Sequence, residues 1–248
     1  MTKINNFYSN KIVYKPWGYE YVIYNDHSRI AITLVHIKHR HKTSLHCHPE
    51  KKTGFIILTG KAKVQIGIYK ENSKIFSSLS RLVFRPGLFH SIKASSKNGV
   101  YALEFETPYN KDDLIRLRDS YGRQSKNYEG KNFTKKLSKF NLIRFKKPKL
   151  NQKNIYSFNN IKVFLETREN LKSLQLKNNN STSAILQGSI IDKRGQKVIT
   201  CGEVVKTKTL KIFSQEYKIT KPITILNVSK HSNKGVCCSN NLISTFNI

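Results

Sequence analysis

Polar and apolar residues alternate strictly along Lys61-Ala62-Lys63-Val64-Gln65-Ile66-Gly67-Ile68, the period of a strand with one buried face. Ile30 to Ile37, Gly54 to Leu58 and Val100 to Phe105 are short apolar runs bounded by turn residues, and they read as further strands. One stretch departs from this pattern. Lys111 to Asp119 (KDDLIRLRD) places acids first and arginines later, as a helix dipole favours, and predicts a helix. Many short strands without a convincing helical period indicate an all-β sandwich, barrel or jelly roll.

From Ser125 to Asn154 the texture changes to Lys, Asn, Phe and Pro, which reads as a connector with one docking strand around Phe140 to Phe145. Strand signals resume at Ile161 to Leu165, Ser183 to Ile191, Lys197 to Thr200, Leu210 to Phe213 and Thr224 to Val228. Acidic residues also thin out in this half. The expected organisation is a domain over 1–124, a connector over 125–154 and a second β-domain over 155–248. A faint repeat agrees: Ile57-Leu58-Thr59-Gly60 echoes Ile185-Leu186-Gln187-Gly188.

Composition narrows the class. An apolar share of 38%, with 13 Phe and 12 Tyr, excludes a disordered chain despite the high charge. No apolar run is long enough to span a membrane, and Met1 to Asn10 lacks the apolar core of a secretory signal. The four cysteines, Cys47, Cys201, Cys237 and Cys238, are too few and too irregular for a disulfide framework or a zinc ribbon. A reduced, cytoplasmic protein is expected. The net charge of +30 is scattered rather than blocked, and no helix-turn-helix, zinc-finger or RNP-like motif accompanies it. A solvated basic surface is the favoured reading, attraction to anionic small molecules or lipid surfaces comes second, and a nucleic-acid partner is not expected.

The chemistry centres on histidine. In Leu45-His46-Cys47-His48 the two imidazoles have the spacing that puts both on one face of a strand, so both reach one ion inside a barrel. His90 follows the turn Arg85-Pro86-Gly87-Leu88-Phe89. Three neutral imidazoles make a ligand set for a divalent first-row metal (Zn, Mn or Fe) with open positions left for substrate or water. Cys47, between the ligands, faces the other way. Against this stands a pair of structural, barrel-lining histidines without metal.

These residues resemble the two cupin motifs: His46, His48 and Gly60 fall on the first, and Gly87 and His90 on the second. More narrowly, residues 12–124 resemble the cupin domain of type II phosphomannose isomerases (mannose-6-phosphate isomerases), without the nucleotidyltransferase domain often fused to it. Lys15-Pro16-Trp17-Gly18-Tyr19-Glu20 matches that family's opening signature. Glu104-Phe105-Glu106, then Asp112-Asp113-Leu114-Ile115-Arg116-Leu117-Arg118-Asp119 and Tyr121-Gly122-Arg123, resembles its closing segment. The resemblance implies a cupin jelly-roll barrel followed by a second, degenerate cupin-like β-domain, a bicupin. At the offset of the repeat, His46, His48 and His90 fall on Leu174, Leu176 and Lys218, so the second barrel is expected to have lost its metal. Departures from the family pattern matter. His46 replaces the usual Gln, Thr53 replaces the acidic ligand, Arg40 a glycine and Ala94 an asparagine. Losing the carboxylate leaves more positive charge on the metal, which suits a Lewis acid.

The resemblance further implies a metal-dependent sugar-phosphate isomerase, or an epimerase of an activated sugar, in surface-polysaccharide synthesis. Glu104 and Glu106 share one side of their strand and are candidates for the base that moves a proton between sugar carbons, with Lys93 nearby. Arg116 and Arg123 are candidate clamps for a sugar phosphate, and Trp17 a candidate substrate contact. The partners expected are a sugar phosphate or nucleotide sugar and a second copy of the chain, in a homodimer. The alternatives are a non-catalytic barrel that binds a sugar or nucleotide sugar, and a three-histidine iron dioxygenase.

Overall fold

The computed structural model describes residues 6–27, 29–137, 142–174, 176, 179–220 and 222–231. They divide into two compact units. The first runs to Leu137 and includes Gly202–Val204; the second takes the remainder.

The first unit is built from β1 (Lys11–Lys15), β2 (Gly18–Asp26), β3 (Ile30–Ile37), β4 (Leu45–Cys47), β5 (Lys52–Thr59), β6 (Ala62–Ile66), β7 (Ser73–Phe76), β8 (Arg81–Phe84), β9 (His90–Ala94), β10 (Val100–Thr107), β11 (Ile115–Arg118) and β12 (Thr134–Lys136). They form two antiparallel sheets, one ordered β12-β1-β2-β3-β10-β5-β8 and the other β11-β4-β9-β6-β7. The period-two alternation decides what lies between them. Val35 and Ile37, Phe55 and Ile57, Leu82 and Phe84, and Val100 and Ala102 project inward from the first sheet, against Ala62, Val64, Ile92 and Ala94 from the second. Each large side chain removed from water stabilises the barrel by about 1.5–3 kcal/mol. Gly60 makes the turn from β5 to β6 at φ 87°, and a Cβ there would lie 2.3 Å from the Gly99 carbonyl oxygen. The motif glycine is therefore required by both conformation and space.

Two expectations in this region fail. Lys111 to Asp119 is not a helix, because Ile115–Arg118 forms β11 against β4. Arg116 is buried while Ile115 and Leu117 are exposed, an alternation too short to outweigh the charge pattern in the sequence. Asp113, read as a helix-start acid, instead accepts the backbone N–H groups of Glu50 and Lys51. The segment 125–154 is not a connector either. Its first part belongs to the first unit, with Glu129 buried and β12 paired to β1; its end is already β13 of the second unit. Residues 140–141 of the expected docking strand lie outside the described residues, and 142–145 form no strand.

The second unit contains β13 (Lys153–Phe158), β14 (Ile161–Arg168), β15 (Thr182–Gln187), β16 (Ile190–Ile191), β17 (Lys197–Ile199), all but the first residue of β18 (Val204–Lys206), α1 (Thr207–Glu216), β19 (Lys218–Ile219) and β20 (Ile223–Lys230). Its sheets are ordered β13-β14-β20-β15-β18 and β17-β16-β19. That order repeats β2-β3-β10-β5-β8 and β7-β6-β9 of the first unit strand for strand. Among the described residues, no strand takes the place of β4 or β11. The second unit is thus a reduced jelly roll, and the chain as a whole is all-β. Gly188 repeats the turn of Gly60 with φ 81°. The expected strand Leu210 to Phe213 is instead part of α1, which replaces the Pro-Gly turn between the eighth and ninth strands of the first barrel. Leu210 is buried, with Phe213 and Tyr217 packed beside it, so a helical spacing was present. No helix of the described residues is long and apolar enough to cross a membrane.

Candidate metal and acid–base site

β4 and β9 are neighbours in the smaller sheet, with His46 directly opposite His90. His48 follows β4 by one residue, on the face set by the two-residue spacing. The coordinating nitrogens of His46, His48 and His90 all lie within 4.8 Å of one another. Each ring is oriented by a main-chain carbonyl. Nδ1 of His46 donates to Ser44 O (2.8 Å), Nδ1 of His48 to Asp113 O (2.7 Å) and Nδ1 of His90 to Leu88 O (3.0 Å). Because a carbonyl only accepts, the proton sits on Nδ1 in all three, and each Nε2 presents a lone pair. Nε2 of His48 and of His90 is buried and has no hydrogen-bond partner among the described residues. A buried acceptor left open costs about 1–3 kcal/mol, and a shared cation removes that cost for His48 and His90 together.

Electrostatics favour the ligating form. Loss of hydration pushes His46 down to about 3 and His48 to about 2, helped by the neighbouring imidazoles and Lys51, and drives His90 well below its ordinary value. The rings are therefore neutral across the physiological range. Phe84 stacks on His90 at 4.0 Å between ring centroids and fixes its plane. The donor set fits a divalent first-row ion held through three imidazoles. Thr53, in the position of the family's acidic ligand, is buried with its hydroxyl unpaired, and Glu50 is exposed, so neither adds a carboxylate to the cluster.

The triad opens onto a cavity of about 610 Å³, including solvent at its mouth. Glu104 and Glu106 both line it, from the same side of β10, yet they differ in state. Glu106 accepts from Lys51 Nζ (2.7 Å), Lys111 Nζ (2.7 Å) and Thr33 Oγ1 (2.8 Å). Burial opposes its charge, but the two ammonium groups overcome that and hold it at about 2. Glu104 makes no hydrogen bond or ion pair among the described residues. Burial, and then the negative charge of Glu106, push it up to about 8. Two carboxyls two residues apart are thus separated in function: one is a fixed anion, the other a proton carrier near neutrality.

Further polar groups close the cavity. Lys111 also reaches Glu20 (3.2 Å), and Tyr128 donates its hydroxyl to the same carboxylate. Burial works against the charge on Glu20, but Lys15, Lys111 and Tyr128 keep it at about 2. Arg116 and Arg123 line the cavity, as does Trp17, which is also part of the core. Both arginines are engaged by Glu129, and Arg123 additionally by Asp119. Lys93 does not belong here. It is exposed on the outer face of β9, opposite Lys63 and bridged to Lys42, because it is offset by an odd number of residues from His90. Sequence reasoning overlooked Lys15, Glu20, Lys51, Lys111, Tyr128 and Glu129. Lys15 and Glu20 stand within the signature Lys15-Pro16-Trp17-Gly18-Tyr19-Glu20, so for these two the signal lay in a motif; Lys51, Lys111, Tyr128 and Glu129 stand outside the quoted motifs.

The two sheets of a jelly roll thus bring imidazoles together from β4 and β9. Residues 3–119, just under half of the chain, match the family model described as mannose-6-phosphate isomerase C-terminal. No curated protein matches the chain in sequence. Among solved structures, a double-stranded β-helix protein from Klebsiella pneumoniae is similar, with 14% identity and a TM-score of 0.36 over 40% of this chain and 84% of its own. The Cnp3 cupin domain of Schizosaccharomyces pombe gives 15% identity and a TM-score of 0.34, over 37% and 64% of the two chains. A Bacillus halodurans protein gives 16% and 0.32, over 34% of this chain and 65% of its own length.

Proposed function

We propose that the first unit is a metal-dependent sugar-phosphate isomerase, serving surface-polysaccharide synthesis in the cytoplasm as a homodimer. The observation that carries this reading is Glu104, a buried carboxyl unpaired among the described residues, which lines the same cation-rich cavity as the three converging imidazoles. A barrel that only binds sugar has no need of such a group. His46, His48 and His90 would hold the divalent ion, which when bound supplies a Lewis acid for a substrate oxygen. Glu104 removes the proton from one sugar carbon and returns it to the adjacent one, and its lifted pKa suits work in both directions. Glu106, locked between Lys51 and Lys111, stays ionised and keeps Glu104 from losing its proton too readily. The cations lining the cavity outnumber its carboxylates, which favours a sugar phosphate or nucleotide sugar over a neutral sugar.

The test is turnover of mannose 6-phosphate by the full chain supplied with manganese, zinc or iron, in deuterated water. Glu104→Gln is expected to lower kcat by about 10²- to 10⁴-fold and abolish solvent exchange at the sugar carbon, with bound metal and KM little changed. Undiminished turnover in that variant would remove Glu104 from the mechanism. A wild-type chain that binds sugar phosphate without turnover would leave a binding barrel.

A further inference from the structure

Glu129 lies where a charged ligand would be expected. Its carboxylate receives Lys15 Nζ, Arg123 Nη1 (2.6 Å) and Arg116 Nη2 (3.4 Å), so three buried or half-buried cations from different parts of the barrel converge on one anion. Arg123 is also held by Asp119 (2.7 Å). Lys15 also lies 3.8 Å from Glu20, which shares Lys111 with the Lys51–Glu106 pair, so the connected network holds five cations against four paired carboxylates and retains one uncompensated positive charge. Replacing Glu129 by a dianion would neutralise it, whereas a monocarboxylate would not.

The residues that supply this plug are irregular in structure. Glu129 stands between β11 and the 3₁₀ turn at Lys131–Phe133, outside any sheet ladder. Every hydrogen bond of the Arg116 guanidinium goes to this segment: Nη1 to the carbonyls of Lys126 and Asn127, Nη2 to Glu129. Its Nε is buried and has no partner among the described residues. Arg116 is also opposite His46 in the pairing of β11 with β4, so a group bound by this guanidinium would lie beside the metal ligands in the same cavity.

We propose that Lys15, Arg116 and Arg123 form a subsite for a phosphate monoester dianion, occupied by Glu129 until the substrate's phosphate displaces it together with residues 126–129. This rests on the sugar-phosphate reading above and adds to it the place where the phosphate binds and the segment that must move. Binding exchanges one buried anion for another, so the cations are never left unpaired. The freed segment takes its carbonyls back to solvent, while the guanidinium groups gain bidentate phosphate contacts.

The test uses the full chain and inorganic phosphate at constant ionic strength, followed by titration calorimetry. Glu129→Gln keeps the size of the plug but removes its charge, and phosphate is expected to bind it roughly tenfold or more tightly than wild type. Acetate is expected to gain less, and Arg116→Gln added to the variant is expected to abolish the gain. Equal phosphate affinity in wild type and Glu129→Gln, or an equal gain for acetate, overturns the proposal. Should Glu129→Gln not fold, wild type still decides: saturating phosphate accelerates tryptic cleavage after Lys126 if the segment is displaced, and leaves it unchanged or slower if it is not. None of these readouts needs turnover. A phosphate gain without isomerisation would fault the catalytic reading alone, and isomerisation without the gain would fault this one alone.

Discussion

At the residue scale, the most informative contrast is between Glu104 and Glu106. Their shared side of β10 was legible from period two alone, but the difference between them was not. It arises from Lys51 and Lys111, which come from separate stretches of chain and meet only in the fold. The same contrast fixes how stability depends on pH. Glu104 titrates at about 8 in the folded chain and near its ordinary value when unfolded, so between these values the native state binds the extra proton. Its contribution is present below about pH 4.5 and is lost as pH rises through about 8. Glu106 and Glu20 act in the opposite sense: held at about 2, they contribute above the ordinary carboxylate range and lose that contribution as pH falls toward 2. In the metal-free chain the three buried imidazoles, held below their ordinary value, act in the opposite sense up to about pH 6.5, so the loss due to Glu104 should show in urea denaturation between about pH 7 and 8, and Glu104→Gln should remove it while leaving the acid limb unchanged. A slope equally steep in both proteins would show that Glu104 is not the titrating group.

At the scale of elements, β3 was legible from end to end, because a β-branched, mostly apolar run of this length, broken only by Thr33 and His36 and buried on both faces, suits a central strand. Lys111 to Asp119 shows the converse. Its acids and arginines mimic a helix pattern, but those charges are used one at a time against groups distant in sequence: Asp113 on the backbone after His48, Arg116 on residues 126–129, Asp119 on Arg123. Local pattern cannot anticipate such long-range partners. α1 was missed for the related reason that Leu210, Ile212 and Phe213 look like a strand in a β-rich chain unless Tyr217 is counted with them. Turn chemistry transfers better. Gly60→Ala forces a Cβ against the Gly99 carbonyl at a positive φ, and is expected to cost about 1–3 kcal/mol in urea denaturation with the metal ligands untouched. A shift of only a few tenths would mean that the turn relaxes around the methyl group.

At the scale of the molecule, the chain carries one jelly-roll strand order twice but the ligand chemistry once. The sequence echo at Gly60 and Gly188 is mirrored in the strand orders, yet the counterpart of β4, the strand that begins the ligand set, is absent among the described residues. Leu176 is buried and Leu174 packs beside it in an apolar cluster with Ile185, Ile190 and Ile225, so the second interior is filled by side chains instead of opening onto imidazoles. Lys218 opens β19 as His90 opens β9, but it is exposed. An apolar interior offers a cation no ligands and imposes the full cost of dehydration, so the two barrels make a quantitative prediction together. Elemental analysis of the full chain should find about one divalent ion per chain, and His46→Ala or His90→Ala should each reduce it to near zero, because two imidazoles in so buried a site do not repay stripping the ion of its water. Two ions per chain, or one that survives both substitutions, would place a site in the second barrel and overturn its assignment as the unit that lost its metal.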